Sequence, residues 1–390
     1  MKVAYICADP GIPVFGTKGA SVHVQEVIKG MLKKGVEVIL FAQRLGGDVP
    51  EELKSIKIRE LDKLPKDSVE IRARAAIEAN AKVETMLESE GKFDMVYERY
   101  SLWSNAGMNF AKRHGCVGIL EVNAPLIEEQ KKHRELPFEE EAQKIAESVF
   151  KNADAMIAVS PGVAQYLETF ENAKGRVHII ANGVALDRFA PAAENNAKRL
   201  ANLTACQGAT IGFLGTLKPW HGLATLVDAC AILRQRNENV RLLIVGDGPE
   251  YESLHQNIKS LGLLDYVQVT GAVLPEEVPN WLAQMDIAVA PYPNMEHFYF
   301  SPLKIYEYMA AGIPVIATRV GHLDTVVTHE HNGILVEAEN PMEMADCISN
   351  LLKDTLKLQQ LGKAARQTAE NEHSWLSVVE RILKISQSIH

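Results

Sequence analysis

Phe300-Ser301-Pro302-Leu303-Lys304-Ile305-Tyr306-Glu307-Tyr308-Met309-Ala310-Ala311-Gly312-Ile313-Pro314, followed at once by Val315-Ile316-Ala317, reads as a loop, a short capped helix and a strand. Ser301 suits an N-cap. Pro302 fits the first helical position, where the missing N–H leaves nothing unsatisfied, and Gly312 followed by Pro314 stops the helix. The free N–H groups of a helix start form an anion site. Lys304 in the first turn opposes the helix dipole, so its presence points to an anion nearby. Glu307 lies about 7 Å along the axis from that start at the standard rise. Diphosphate on the helix end and ribose hydroxyls on Glu307 would suit this spacing. A surface i,i+3 ion pair between Lys304 and Glu307 explains the same residues equally well.

Working outward, the same alternation fills the chain. Val3-Ala4-Tyr5-Ile6-Cys7, Val36 to Leu40, Met95-Val96-Tyr97, Gly118 to Val122, Ala155 to Val159 and His178-Ile179-Ile180 read as strands, with helices such as Ser21 to Lys34 and Val69 to Glu90 between them. The polar stretch Pro191-Ala192-Ala193-Glu194-Asn195-Asn196-Ala197-Lys198 reads as a linker. The pattern then restarts with Thr210 to Leu214, Val240 to Val245, Val267 to Thr270, Ile287 to Ala290, Val315 to Ala317 and Ile334 to Val336. Alternating β and α elements predict an α/β fold with parallel sheets, here two Rossmann-like halves joined near residue 190. The end of the chain, Trp375 to Ser388, reads as an amphipathic helix.

The 390 residues are too many for one ordinary core and suit two domains. A net charge of −9 argues against a nucleic-acid partner. The five cysteines show no C-x-x-C pair and read as buried thiols of a reducing compartment. The N-terminus leads into a strand and not a signal peptide, and no apolar run has the length of a membrane span. These features predict a cytoplasmic protein and leave peripheral membrane contact and oligomeric state open.

In open parallel sheets, ligands sit beyond the carboxyl ends of the strands. The candidate loops are therefore Gly16-Thr17-Lys18-Gly19-Ala20-Ser21, Gly215-Thr216-Leu217-Lys218-Pro219-Trp220-His221-Gly222 and Gly246-Asp247-Gly248-Pro249-Glu250, together with Tyr97-Glu98-Arg99-Tyr100-Ser101 and Glu121-Val122-Asn123-Ala124-Pro125. Glycines let a backbone approach a ligand closely, though Gly-rich turns are often only turns. Asn123 reads equally as a plain turn residue. The run Lys131-Lys132-His133-Arg134 reads as a solvated charge cluster, since Glu139-Glu140-Glu141 follows. No P-loop, dinucleotide fingerprint, Gly-x-Ser-x-Gly elbow, zinc-spaced Cys/His cluster or Asp-x-Asp pair is present.

Glu307-Tyr308-Met309-Ala310-Ala311-Gly312-Ile313-Pro314-Val315 resembles the second half of the signature of the family 4 retaining glycosyltransferases, which have the GT-B fold. That signature has two glutamates eight residues apart. Here Tyr299 holds the first place. The loop after the second half's first strand resembles the family's Gly-Arg-Leu-x-x-x-Lys-Gly, with Thr216 and His221 in place of Arg and Lys, and Asn182 to Phe189 resembles its hinge. The resemblance implies two Rossmann-like domains facing across a cleft. Residues 1–190 would form the acceptor side, completed by a helix at about 374–390, and 191–373 the donor side. It implies transfer from a nucleotide-sugar co-substrate, a UDP-sugar favoured, to a carbohydrate, lipid or small-molecule hydroxyl acceptor. Front-face retention would need neither metal nor other cofactor. Lys218, Glu307 and Asn123 would be catalytic. Gly16, Gly19, Arg99, Gly215, Thr216, His221, Gly246, Asp247, Gly248, Tyr299, Ser301, Pro302, Leu303 and Lys304 would bind substrates, with His221 donating a hydrogen bond and Tyr299 holding the sugar in the aromatic run His297-Phe298-Tyr299-Phe300. A nucleotide-sugar epimerase on the same fold, or a non-catalytic nucleotide-sugar-binding subunit, are the rival readings.

Overall fold

The computed structural model describes residues 1–189, 208–295, 298–299 and 301–389. The stretch 191–198, read above as a linker, and His297 and Phe300 of the aromatic run lie outside them. The chain divides into one unit of Met1–Gly183, Tyr299–Ser301 and Trp375–His390 and a second of Val184–Phe298 and Pro302–Ser374.

In the first unit, β1 (Lys2–Cys7), β2 (Glu37–Ala42), β3 (Lys57–Glu60), β4 (Met95–Arg99), β5 (Val117–Val122), β6 (Ala155–Ala158) and β7 (Val177–Ile179) form one parallel sheet in the order β3-β2-β1-β4-β5-β6-β7. The helices are α1 (Gly19–Lys33), α2 (Val69–Ser89), α3 (Ala106–His114), α4 (Leu126–His133), α5 (Glu139–Asn152), α6 (Pro161–Glu168) and, from the end of the chain, α13 (Trp375–Ser388). Strands β1 and β5 are near-continuous apolar runs because helices cover both faces of the sheet. Strand β3 gave no sequence signal: Lys57, Arg59 and Glu60 make it an edge strand, and Lys57 and Arg59 pair with Glu90 at the end of α2. Charge on an exposed edge also discourages pairing with other chains. Helix α13 packs on α1, where Gly30 leaves so little room that a Cβ would sit 2.6 Å from Val379 Cγ2. Its first residue, Trp375, meets the His23 ring edge-on at 4.9 Å.

In the second unit, β8 (Ala209–Leu214), β9 (Val240–Val245), β10 (Val267–Val269), β11 (Ile287–Ala290), β12 (Val315–Thr318) and β13 (Ile334–Val336) are parallel in the order β10-β9-β8-β11-β12-β13. Around them lie α7 (Leu223–Gln235), α8 (Tyr251–Ser260), α9 (Val278–Leu282), α10 (Leu303–Ala310), α11 (Pro341–Lys353) and α12 (Thr355–Glu372). The opening segment of the sequence is thus the approach to α10, the helix itself and β12. One expectation fails here. Helix α10 starts at Leu303, Pro302 takes the N-cap place with φ −81° and ψ 62°, and Ser301 makes no cap hydrogen bond. The proline carries the extended lead-in one residue further, so the Ser301 hydroxyl falls short of the first turn. The far end behaves as read: Ile313 N–H reaches Tyr308 C=O and Gly312 N–H reaches Met309 C=O, a Schellman closure around Gly312.

Both sheets reverse their winding direction, between β1 and β4 in the first and between β8 and β11 in the second. Ligands of such sheets bind at the carboxyl side of that switch point. Among the described residues no helix is long and apolar enough to cross a membrane.

Candidate active site

Beside the switch point of the second unit, the loops after β8 and β9 are stitched together by backbone. Gly215 N–H donates to Val245 C=O at 2.9 Å, Leu217 N–H to Asp247 C=O at 3.0 Å and Glu250 N–H to Leu217 C=O at 3.2 Å. Gly246 is held at φ 144°, and a Cβ on it would lie 2.0 Å from the Gly215 carbonyl oxygen. Gly248 packs as tightly on the Leu217 backbone, and Asp247 turns back to accept from the Gly248 N–H. Lys304, from the first turn of α10, runs under this seam. A Cβ on Gly215 would stand 3.2 Å from Lys304 Nζ. The ammonium lies 4.2 Å from the Phe213 ring centroid and 4.9 Å from that of Tyr292. Lys304 is 8% exposed, and its Nζ has no hydrogen-bond partner among the described residues. Burial pushes its pKa well below the usual lysine range, against the pull of Glu307.

Glu307, one turn on, is half-buried. Burial raises its carboxyl to about 7, opposed by Arg188 and then Lys304. Arg188 is fixed by donating to the Pro275 carbonyl. Helix α10 is anchored behind these side chains by Tyr308, whose buried hydroxyl accepts from Leu214 N–H at 2.8 Å. The His221 Nδ1 is engaged by the Thr216 carbonyl, and burial with Lys304 and Lys218 lowers its pKa to about 4, so the ring is neutral near pH 7. Lys218 is half-buried, its Nζ 5.4 Å from the Trp220 ring, while Thr216 and Leu303 are exposed. The second unit therefore gathers Gly215, Thr216, His221, Gly246, Asp247, Gly248, Lys304 and Glu307 around one seam. Lys218 stands on the same loop against Trp220.

In the first unit the centre is a residue that sequence reading passed over. Glu121, in β5, is 2% exposed and accepts four hydrogen bonds. Arg99 Nη1 and Asn123 Nδ2 each reach Oε1 at 2.6 Å, while His23 Nε2 at 2.8 Å and the Tyr97 hydroxyl at 2.5 Å reach Oε2. Burial works to raise its pKa, but His23 and Arg99 outweigh it and hold the carboxyl far below the usual range. Arg99 and Asn123 thus meet at one carboxylate, so Asn123 is more than a turn residue. Glu98 goes the other way along β4: it is buried, accepts from the Ser104 hydroxyl and the Met108 N–H, and is pushed up to about 7 by burial. Gly19 opens α1, and Gly16 sits against Pro13 and the Ser21 hydroxyl. Tyr299 donates its hydroxyl to Glu129 of α4 at 2.7 Å, and its carbonyl accepts from Ser160. The Ser301 hydroxyl is buried without a partner among the described residues. Lys131 pairs with Glu139 at 2.6 Å, as a surface charge cluster would.

Comparison with known proteins agrees with this architecture. The family model described as "Glycosyltransferase Family 4" matches residues 17–188, and that described as "Glycosyl transferases group 1" matches 208–354. The chain belongs to the family 4 glycosyltransferases. A D-inositol 3-phosphate glycosyltransferase of Jonesia denitrificans is 27% identical over 401 residues, covering 96% of this chain and 93% of that protein. Among solved structures, sucrose-phosphate synthase from Thermosynechococcus elongatus superposes with a TM-score of 0.74 at 20% identity, covering 100% of this chain and 98% of that one. The Anabaena protein HepE, in complex with UDP and glucose, gives 0.67 at 21%, covering 100% of both chains. The two parallel-sheet α/β domains are those of the GT-B fold.

As a glycosyltransferase of this family, the chain departs from the signature at Thr216, His221 and Tyr299. The structure brings a lysine to the same seam from another element, since Lys304 reaches Gly215 from α10. Besides Glu121, sequence reading missed His23, Tyr97 and Arg188. A signal existed for Glu121: a charged residue inside a six-residue apolar strand with both faces covered needs partners. Arg188 was read only as part of a hinge, and nothing in its spacing places it beside Glu307.

Proposed function

We propose that this glycosyltransferase moves a sugar from a nucleoside diphosphate donor, UDP-glucose being the first to test, to a hydroxyl acceptor with retention at the anomeric carbon. The observation that carries the reading is Lys304: a buried amine with no hydrogen-bond partner among the described residues, beside glycine backbone at a sheet switch point and in the first turn of α10. An unpaired buried ammonium is costly, and a diphosphate that binds there turns the cost into affinity. Lys304, the N–H groups after Gly215 and the first turn of α10 would take the diphosphate, with Lys218 adding charge. Glu307 would hold the ribose hydroxyls, and the backbone of residues 246–248 the rest of the nucleoside. His221, neutral and with its Nδ1–H given to the Thr216 carbonyl, leaves Nε2 as an acceptor, so it would meet a ligand hydroxyl and would not donate to the diphosphate as the sequence suggested.

Charge develops on the leaving diphosphate in the transition state, and fixed donors aimed at it lower the barrier. Lys304 and the helix dipole supply that charge from the protein, so the proposed mechanism needs no metal. On the acceptor side Asn123 and Arg99 are the proposed contacts. With no enzymic nucleophile assigned, retention follows from front-face attack by the acceptor hydroxyl beside the departing phosphate. The relatives' name makes D-inositol 3-phosphate the first acceptor to test.

A thermal-shift screen against UDP-, GDP-, ADP- and dTDP-sugars tests the donor, because a ligand that binds the native state raises its apparent stability. We expect the UDP-sugars to stabilise the protein most; a screen with no stabilising nucleotide sugar overturns the reading. Transfer should survive EDTA, and activity lost on chelation and restored by Mg²⁺ or Mn²⁺ would refute the metal-free mechanism.

A further inference from the structure

We infer that Glu121 is the positioning residue of the acceptor side: one ionised, buried carboxylate that fixes Arg99 and Asn123 in a single arrangement. The inference rests on the proposed acceptor roles of those two residues. It starts from saturation. A carboxylate offers about four acceptor sites on two oxygens. Here all four are used, by Arg99 and Asn123 on Oε1 and by His23 and Tyr97 on Oε2. The four donors come from three places in the chain: Tyr97 and Arg99 from β4, Asn123 from the end of β5, and His23 from α1. The cluster therefore ties the strand β4 at the switch point to its neighbour β5 and to the first helix. His23 is in turn held edge-on by Trp375 of α13, so the last helix of the chain braces the same carboxylate.

Saturation assigns the work. Tyr97 and His23, 0% and 7% exposed, fill Oε2, while Arg99 is 8% exposed and Asn123 half-buried. Oε1 is left to the two groups proposed to meet the acceptor. Charge-assisted bonds of this kind are the strong ones and restrict the side chains that make them. An ionised centre also keeps the Arg99 guanidinium charged and its other N–H groups directed by one fixed bond. A loosely held Arg and Asn would have to be ordered by each incoming acceptor, a cost that pre-ordering removes from the binding step.

Glu121→Gln tests this with almost no change of volume. The amide oxygen accepts two hydrogen bonds at most, and the NH₂ group faces two donors, so at least two of the four partners are released. With UDP-glucose and D-inositol 3-phosphate as substrates, we expect kcat/KM for D-inositol 3-phosphate to fall tenfold or more. Calorimetric affinity for UDP should stay within twofold of wild type. Adding Asn123→Ala to Glu121→Gln should cost little beyond either alone, because the two act as one unit. A folded Glu121→Gln enzyme with kcat/KM for that acceptor within twofold of wild type overturns the inference. Tyr97→Phe decides the matter if the Gln variant does not fold. It keeps the ring, removes one donor from Oε2 and touches neither proposed contact. A threefold or larger fall in kcat/KM for D-inositol 3-phosphate supports positioning. A lowered melting temperature with unchanged kinetics shows a merely structural cluster and overturns it. Failure of the underlying reading looks different: wild-type protein that releases no UDP from UDP-glucose, or Asn123→Ala and Arg99→Ala variants that transfer normally, removes the acceptor site and this inference with it. Impaired Asn123→Ala beside unimpaired Glu121→Gln removes the inference alone.

Discussion

At the carboxyl end of β5 in the first unit, a buried carboxylate meets four donors; at the carboxyl end of β8 in the second, a buried amine meets none among the described residues. The second sits at its sheet's switch point and the first on the strand beside its own, and both are almost wholly removed from water. The first is satisfied by the protein and driven further into its charged form. The second is held by two aromatic faces and pushed toward its neutral form. A satisfied buried charge gives rigidity, and an unsatisfied one stores binding free energy for a ligand of opposite sign. The contrast fits the two roles proposed above, positioning for the first cluster and direct electrostatic contact for the second.

The sharpest way to break that contrast is Lys304→Met. If the amine exists for a ligand, removing it should lower the transfer rate on the order of 10²–10³-fold, the scale for losing one fixed donor to developing charge. The same change should not lower the melting temperature of the ligand-free protein, because an unpaired buried polar group costs roughly 1–3 kcal/mol. A destabilised variant with near-normal turnover, read by thermal melting and steady-state kinetics, would make Lys304 a structural residue. Next in size is Glu307→Ala. Loss of a charged hydrogen-bond partner for the ribose should weaken UDP binding tenfold or more, from the roughly 1.5–3 kcal/mol of such a bond. Calorimetry showing unchanged affinity would detach Glu307 from the nucleotide.

The same contrast explains what could be read from the chain before its structure. The strand pattern was legible because buried parallel strands are mostly apolar, without interruption in β11 and β13 and with one exposed charge, Arg241, in β9. Strand β3 was not, since an edge needs charge more than it needs a core. The helix of the opening segment was legible from Lys304, Glu307 and Gly312. Its start was misplaced by one residue, because a proline that suits the first helical position also suits the residue before it. The pairing of Lys304 with Gly215 was beyond reach, being set by where β8 and β11 lie side by side. Glu121 was on the page as a charge inside β5, but its four donors come from three other parts of the chain, and only the packed sheet brings them together.

A smaller effect separates the two sites by pH. The Glu307 carboxyl, raised to about 7, binds its proton more tightly in the folded protein than in the unfolded chain. Its contribution is therefore destabilising above pH 7 and fades as pH falls toward 4.5. Glu307→Gln should raise the melting temperature at pH 8 and leave it nearly unchanged at pH 5. After allowance for its partial exposure, the difference should be on the order of 1–2 kcal/mol. A variant that melts in parallel with wild type at both pH values would show that burial does not control this carboxyl.

The smallest expected effect is at Tyr299, where the family signature has a glutamate. Its hydroxyl is already donated to Glu129 at 2.7 Å and its carbonyl already accepts from the Ser160 hydroxyl, so the contact proposed with a donor sugar is through the ring. A ring face binds a sugar by stacking, without a hydroxyl. Tyr299→Phe should therefore leave the transfer rate within twofold and lower the melting temperature slightly, by the loss of one partly exposed hydrogen bond worth about 1 kcal/mol. Tyr299→Ala should reduce turnover severalfold while UDP affinity stays unchanged. The pair of variants separates hydroxyl from ring. If Phe is as damaging as Ala, the hydroxyl leaves Glu129 for the sugar during the reaction, and Tyr299 takes over the hydrogen bonding of the glutamate it replaces. If neither variant changes turnover, the position belongs with the satisfied, structural side of the comparison, and the donor sugar is held by other groups.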